Sequence, residues 1–78
     1  MFQKYQIVES VMGRDKQRLM AVVDTDEKFI YVCDGKYHPL DNPKRKNPRH
    51  LRKIGVNITE SQLVSDRALR KALAASRS

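Results

Sequence analysis

Residues 44–53 hold the densest group of side chains in this 78-residue sequence that could bind a ligand. Six of the ten residues are Lys or Arg, and none is acidic. Clustered cations repel one another unless a polyanion neutralises them, and phosphates do so with release of condensed counterions. We therefore expect phosphate contacts from six side chains of the run: Lys44, Arg45, Lys46, Arg49, Arg52 and Lys53. The alternatives are a solvated loop that only aids solubility and a nuclear-localisation signal.

A second cationic loop, over residues 13–18, could widen this surface. Gly13 permits a tight turn, because glycine adopts positive φ without steric cost. Three cations then project from a short span: Arg14, Lys16 and Arg18. A plain charged turn is an equally good interpretation of this loop when it is taken alone.

A few rings near these cations could contact bases. Tyr37 could stack on an exposed base, as aromatic side chains do in RNA recognition. His50 lies among cations, and it could stack on a base or hydrogen-bond a phosphate. For His38 we favour a packing role.

Residue types that usually support catalysis or metal binding are scattered. Asp24, Asp26 and Glu27 are close together, but they lie in an apparent exposed turn without a companion His. Cys33 is the only cysteine, and its apolar neighbours predict a place in the core. No Gly-rich phosphate loop or nucleophile–base set can be assembled. We expect a protein that is not an enzyme and that holds no cofactor and no metal.

The net charge of +7 belongs to the second half of the chain. Residues 1–42 carry six basic and seven acidic side chains, whereas residues 43–78 carry ten basic and two acidic ones. Nucleic acid is therefore the first candidate partner, and an anionic membrane surface is the second. No stretch approaches the roughly 20 apolar residues of a membrane span, and the beginning lacks a secretory signal. We expect a single cytoplasmic domain over residues 1–78, with no membrane partner.

Apolar runs and turn signals predict several short strands. The first half contains four, over residues 5–12, 19–23, 29–33 and 36–40. Asp34-Gly35 lies between the last two and predicts a tight hairpin. Strands at intervals of about ten residues are typical of a small barrel or sandwich.

The second half predicts a last strand and a helix. Pro43 and Pro48 oppose a helix through the basic run, so we expect residues 50–54 to return as a strand, with Leu51 directed inward and Ile54 as a second candidate for the inner side. Residues 55–65 are expected to be a linker. Ser65 resembles an N-cap, and apolar residues at spacings of three and four predict an amphipathic helix over residues 66–75, which would cover the barrel.

The order of these features resembles the KOW family. A strand, a Gly-containing basic loop and a strongly apolar strand follow one another over residues 8–23. Residues 29–36 with the Asp-Gly turn, and residues 42–51 with the basic run, look like the small bacterial KOW domain-containing RNA-binding proteins. That group is similar to a class of large-subunit ribosomal proteins of archaea and eukaryotes. The likeness covers residues 6–54, with one departure at Gln17, where members of the group usually have glycine.

The resemblance implies a mainly β fold, namely a small SH3-like barrel of KOW type over residues 5–54 with a short C-terminal α-helix. It also implies binding of ribosomal RNA, a ribosomal particle or another structured RNA. KOW domains of transcription elongation factors contact other proteins. The alternative is therefore a protein-interaction module of the transcription or translation machinery, acting through the helix face or an edge strand. If position 17 requires positive φ, Gln17 costs about 1 kcal/mol of strain.

Overall fold

A computed structural model of the chain describes residues 1–77. The strands are β1 (Gln6–Ser10), β2 (Leu19–Thr25), β3 (Ile30–Cys33), β4 (Lys44–Lys46) and β5 (Leu51–Asn57). Two 3-10 turns cover Pro48–His50 and Glu60–Leu63, and one α-helix, α1, covers Asp66–Arg77. The strands form a single antiparallel sheet in the order β4-β3-β2-β1-β5. The molecule is a small, mostly-β domain with one C-terminal helix, as the sequence predicts.

The central strand β2 is buried on both sides. On one side, Ala21 joins Ile7 in a cluster that α1 covers with Leu69 and Leu73. The other side packs without a helix, in a cluster that the strands themselves form with Phe2; its buried members are Val8, Met20, Val22, Ile30, Val32 and Leu51. The central strands are apolar on both faces because each face packs against a different partner.

A sheet that buries side chains against itself must bend. The pairing of β1 with β5 shifts register between Gln6 and Val8, and that of β2 with β3 shifts between Val22 and Asp24. Such irregularities bend a strand and increase its twist. No ladder joins β4 to β5 within residues 1–77, so strand pairing alone does not establish the closed barrel that the resemblance implies.

Helix α1 begins where its capping signals predict. The Ser65 Oγ accepts a hydrogen bond from the backbone N–H of Ala68 at 3.1 Å, and Asp66 occupies the first turn. The helix continues to Arg77 rather than ending at residue 75. The Asp66 carboxylate also accepts the Leu40 N–H at 2.8 Å, which fixes the helix to the connection between β3 and β4. No helix among the described residues is long and apolar enough to cross a membrane.

The expected strand over residues 36–40 does not form. The Asp34 carboxylate accepts hydrogen bonds from the backbone N–H groups of Lys36 and His38, at 2.9 and 2.8 Å. These donors are therefore committed to a local loop and are not available to a strand ladder. Instead of a tight Asp-Gly hairpin, β3 and β4 are joined by a longer connection over residues 34–43.

Residues 55–65 do not behave as a linker. Strand β5 continues through Gly55 to Asn57, which pairs with Gln6 of β1. The next residue, Ile58, is buried in the cluster beneath α1, and its N–H donates to the Tyr5 carbonyl at 2.8 Å. Residues 55–58 are ordered by this long-range pairing, whereas Glu60–Leu63 forms a local 3-10 turn that begins with a hydrogen bond from the Thr59 N–H to the Gln62 side chain at 2.9 Å.

Candidate nucleic-acid interface

The basic run forms part of three consecutive elements. It begins with β4, passes through the turn Pro48–His50 and enters β5. Pro48 stands at the start of the turn, and the Asn47 side chain accepts the Arg49 N–H at 2.9 Å. Leu51 is buried and anchors the run to the sheet, as the sequence predicts. The cations are therefore carried by a fixed backbone.

One cation of the run is directed inward. The Lys46 side chain is only 10% exposed, and its Nζ lies 3.1 Å from Oδ2 of Asp15. Lys44 and Arg45 on the same strand are exposed. The position of Lys46 does not fit the direct phosphate contact that the sequence predicts for it, because its charge is already matched inside the protein.

Asp15 is the centre of an ion cluster that joins three segments. Its carboxylate lies 2.8 Å from Arg18 Nη1 and 3.2 Å from His38 Nε2, in addition to Lys46. Burial raises the pKa of Asp15, but the hydrogen bonds and charges of Lys46 and His38 lower it, so that the pKa lies below its ordinary value. The cluster ties the loop 13–18 to β4 and to the loop after β3. The only feature of the sequence that pointed to this ion cluster was an acid, Asp15, in the middle of a cationic loop.

Arg18 supports an aromatic ring. Its guanidinium lies 4.0 Å from the centroid of the Tyr37 ring, and its Nε lies 3.7 Å from the Asp34 carboxylate. Tyr37 remains 59% exposed. Cations stacked on aromatic faces attract the ring electrostatically, so Arg18 holds Tyr37 in place while leaving much of it accessible. Like Lys46, Arg18 is engaged within the protein.

At position 17 of the loop 13–18, the backbone adopts the left-handed conformation that a glycine would adopt without strain. Gln17 has φ of +71° and Gly13 has φ of +80°. The Gln17 N–H donates to the Ser10 carbonyl at 2.7 Å, which closes the hairpin between β1 and β2. A non-glycine residue in the left-handed region costs about 1 kcal/mol or more, so the loop accepts strain at this position. Arg14 and Lys16 are exposed on this loop.

Three of the remaining cations of the run make side-chain contacts but stay accessible. Arg52 pairs with Glu9 across β1 and β5, yet its side chain is 67% exposed. The Lys53 Nζ lies 5.3 Å from the centroid of Phe2, and the Arg45 guanidinium lies 4.5 Å from the centroid of Phe29. These ring contacts restrict the side chains without removing them from solvent. We use the name basic surface for the exposed cations of the two segments: Arg14, Lys16, Lys44, Arg45, Arg49, Arg52 and Lys53.

Backbone contacts join the two segments and extend toward the helix. The Val11 N–H donates to the His50 carbonyl at 2.8 Å, which places the start of the loop 13–18 beside the turn Pro48–His50. On its other side, Arg77 Nη2 donates to the Gln17 carbonyl at 2.8 Å. The loop therefore lies between the basic run and the end of α1. His50 itself is half-buried.

The described residues show no arrangement for metal binding or for thiol chemistry. No group of three or more His, Cys, Asp or Glu within residues 1–77 could hold a metal ion. Burial raises the pKa of the Cys33 thiol to about 12, with smaller contributions from Asp66, Asp34 and Asp41. A thiol in this state is a core side chain, because the thiolate is the reactive form.

No model of a known protein family matches this chain, and no curated protein matches it either. The resemblance to the KOW family therefore stays a prediction based on residues 6–54. What the site can do follows from its own geometry: a set of solvent-exposed cations on a fixed backbone, and an exposed Tyr37 ring that rests on Arg18 of the loop 13–18.

Proposed function

We propose that this chain is a non-catalytic RNA-binding protein that grips the phosphate backbone of structured RNA with its basic surface. We further propose that its bent sheet is an SH3-like barrel of the KOW type, which acts as a rigid platform. The observation that carries the proposal is the exposure of seven cations on connected elements, of which β4 and the loop 13–18 are joined by the Asp15 ion cluster. Ribosomal RNA or a ribosomal particle is the partner that the resemblance favours.

The basic surface suits backbone contacts better than base reading. Arg guanidinium groups can hold a phosphate through two parallel hydrogen bonds, which orients the RNA as well as attracting it. The basic surface is carried by strands and loops, and α1, the one α-helix within residues 1–77, packs its apolar side on the sheet. Recognition would rest on the shape of the RNA and the spacing of its phosphates.

The direct test removes three exposed cations of the basic surface together: Lys44→Ala, Arg45→Ala and Arg49→Ala. Each phosphate contact contributes about 0.7–0.9 to the slope of log affinity against log salt. The triple variant should lower that slope by about 2–3 and weaken binding of ribosomal RNA about 10- to 100-fold near 100 mM salt.

A charge-matched control removes three exposed cations elsewhere: Lys4→Ala, Arg67→Ala and Lys71→Ala. It should retain most of the affinity and the slope. Equal losses in the two triple variants would show that only net charge matters, and no loss in either would reject the proposed surface. Salt-sensitive co-sedimentation of the wild type with ribosomal particles would identify the partner.

The alternative, a protein-interaction module, requires an accessible surface of another kind. The apolar side of α1 is covered by the sheet, which leaves the outer edges of β4 and β5 and the polar side of the helix. Affinity for a protein partner through an apolar interface should change little with salt, whereas RNA affinity should fall steeply.

A further inference from the structure

A groove lies between α1 and the loop that follows β3, outside the basic surface. Its volume is about 210 Å³, below the roughly 300–1,000 Å³ of pockets for drug-sized ligands, and therefore suited to one flat ring. The residues that matter for the argument are Arg18, Lys36, Tyr37, Arg70, Leu73 and Arg77. The set combines four cations with one exposed ring and one aliphatic side chain.

The charge of the groove favours an anion. Asp34 is the one acid in its lining, and its carboxylate is buried and already accepts hydrogen bonds from two backbone N–H groups. It also lies 3.7 Å from Arg18. The acid is thus satisfied within the protein, and the cations around it leave an excess of positive charge that a phosphate would neutralise.

The two helix arginines are held at the rim of the groove. Arg70 Nη1 donates to the Gly35 carbonyl at 2.6 Å, and Arg77 Nη2 donates to the Gln17 carbonyl at 2.8 Å. A guanidinium has five N–H donors, so each arginine keeps donors for a ligand after making its backbone contact. Both are exposed, and their orientation is set before a ligand arrives.

Tyr37 supplies a stacking surface beside these donors. Its ring rests on the Arg18 guanidinium, which is itself fixed by its ion pair with Asp15. Stacking of unpaired bases on aromatic rings is a general means of RNA recognition, and it tolerates any base. Leu73 of α1 also lines the groove, but it is only 6% exposed and belongs to the core, so it adds a narrow apolar edge beside the ring.

From this geometry we propose that the groove accepts one unpaired nucleotide of the bound RNA. The base stacks on Tyr37, and its phosphate lies between Arg70 and Arg77. The proposal rests on the proposed function and names the class of RNA: a duplex with a bulged or terminal unpaired nucleotide. We choose RNA as the occupant because the groove adjoins the basic surface. The loop 13–18 contacts Arg77 of the groove through Gln17, and its start contacts the turn of the basic run.

The test compares two RNA hairpins with the same stem, one of them with a single bulged uridine, by fluorescence anisotropy on the full chain. Wild type should bind the bulged hairpin about tenfold more tightly than the plain one. Tyr37→Ala should reduce the ratio of the two affinities to about one, whereas Tyr37→Phe should keep it at about tenfold. A wild type that binds both hairpins equally, or a Tyr37→Ala variant that keeps the wild-type preference, would overturn the proposal.

The same experiment separates this inference from the proposed function. If neither hairpin binds in a salt-dependent way, RNA binding itself fails; if both bind without preference, only the groove fails. Arg70→Ala with Arg77→Ala should also reduce the preference, and the exposed helix pair Arg67→Ala with Lys71→Ala should not. Uridine monophosphate alone should not compete with the bulged hairpin at equal concentration; effective competition would indicate a free-nucleotide site instead.

A photo-crosslink gives a readout that does not depend on a variant. With 4-thiouridine at the bulge, we expect crosslinks to the peptides that contain Tyr37 or residues 70–77. Crosslinks confined to residues 44–53 would place the unpaired nucleotide on the basic surface and overturn the proposal.

Discussion

Asp15→Ala tests whether the ion cluster holds the interface together. The substitution removes the acceptor that Arg18, His38 and Lys46 share, at 2.8, 3.2 and 3.1 Å. It leaves Lys46, whose side chain is 10% exposed, without an opposite charge beside it. The variant should therefore be less stable than the wild type by much more than the loss of a surface ion pair.

The magnitude follows from the exposure of the partners. Removing one member of a buried ion pair costs about 3–5 kcal/mol, whereas an exposed pair contributes about 0–1 kcal/mol. Since the Asp15 side chain retains 11% exposure, we expect a value at the lower end of the first range, about 3 kcal/mol. A domain of this size has a free energy of unfolding of about 4–12 kcal/mol, so the melting temperature should fall by about 12–24 °C.

Urea unfolding followed by far-UV circular dichroism at neutral pH measures this loss. The matched control is Arg52→Ala, which removes an ion pair whose Arg side chain is 67% exposed, and it should cost less than about 1 kcal/mol. If Asp15→Ala costs no more than Arg52→Ala, the cluster is effectively solvated, and the argument that it stiffens the interface is wrong.

The cluster also predicts a dependence on pH. The pKa of Asp15 lies below its ordinary value of 3.8, because the contacts with Lys46 and His38 outweigh the effect of burial. A carboxyl whose pKa falls on folding stabilises the protein above the unfolded pKa, and this contribution disappears as pH falls through the folded pKa. Below about pH 4, the free energy of unfolding should fall more steeply in wild type than in Asp15→Asn. Parallel curves would contradict this.

Three further predictions concern backbone strain and the buried thiol. Gln17→Gly should raise the free energy of unfolding by about 1 kcal/mol, because it relieves a positive φ of +71°; a chemical melt that shows no gain would reject the strain. Gly35→Ala should cost about 3 kcal/mol, since its Cβ would collide with the Asp66 carbonyl of α1, whereas Gly13→Ala, with a similar φ and open space, should cost about 1 kcal/mol. Comparable melts for these two variants would contradict the collision. Cys33, with a pKa of about 12, should react with iodoacetamide more than about a hundredfold slower in the native protein than in urea, and equal rates would contradict its burial.

Local signals in the sequence were sufficient for much of the fold. The core positions of β2 and β3 and the start of α1 could be predicted because apolar runs and a Ser-Asp cap act within a few residues. The prediction of a strand over residues 36–40 was wrong because the Asp34 side chain takes the backbone N–H groups that a strand would need. The extension of β5 was missed because only its pairing with β1, distant in sequence, orders residues 55–57.

For the candidate site, too, the sequence indicated which segments carry charge but not how the fold arranges the side chains. Charge density alone indicated the basic run and the loop 13–18. It could not distinguish Lys46 from its neighbours, because the burial of this side chain depends on Asp15, which belongs to a different hairpin. The groove was missed for the same reason: Arg70 and Arg77 are ordinary flanking residues of an amphipathic helix until the fold places them beside Tyr37.

Strand β4 has a consequence for how protein molecules behave toward one another. It is an edge strand, and an exposed edge is a template onto which another chain can add by backbone pairing. All three of its residues are cations, and Lys46 is directed inward; charged edges and inward charges both obstruct strand addition. Bound RNA would neutralise the charges of Lys44 and Arg45. The edge of β4 would then obstruct the addition of another strand less. Self-association should therefore begin on crowded RNA, where light scattering would detect it, rather than in the free protein.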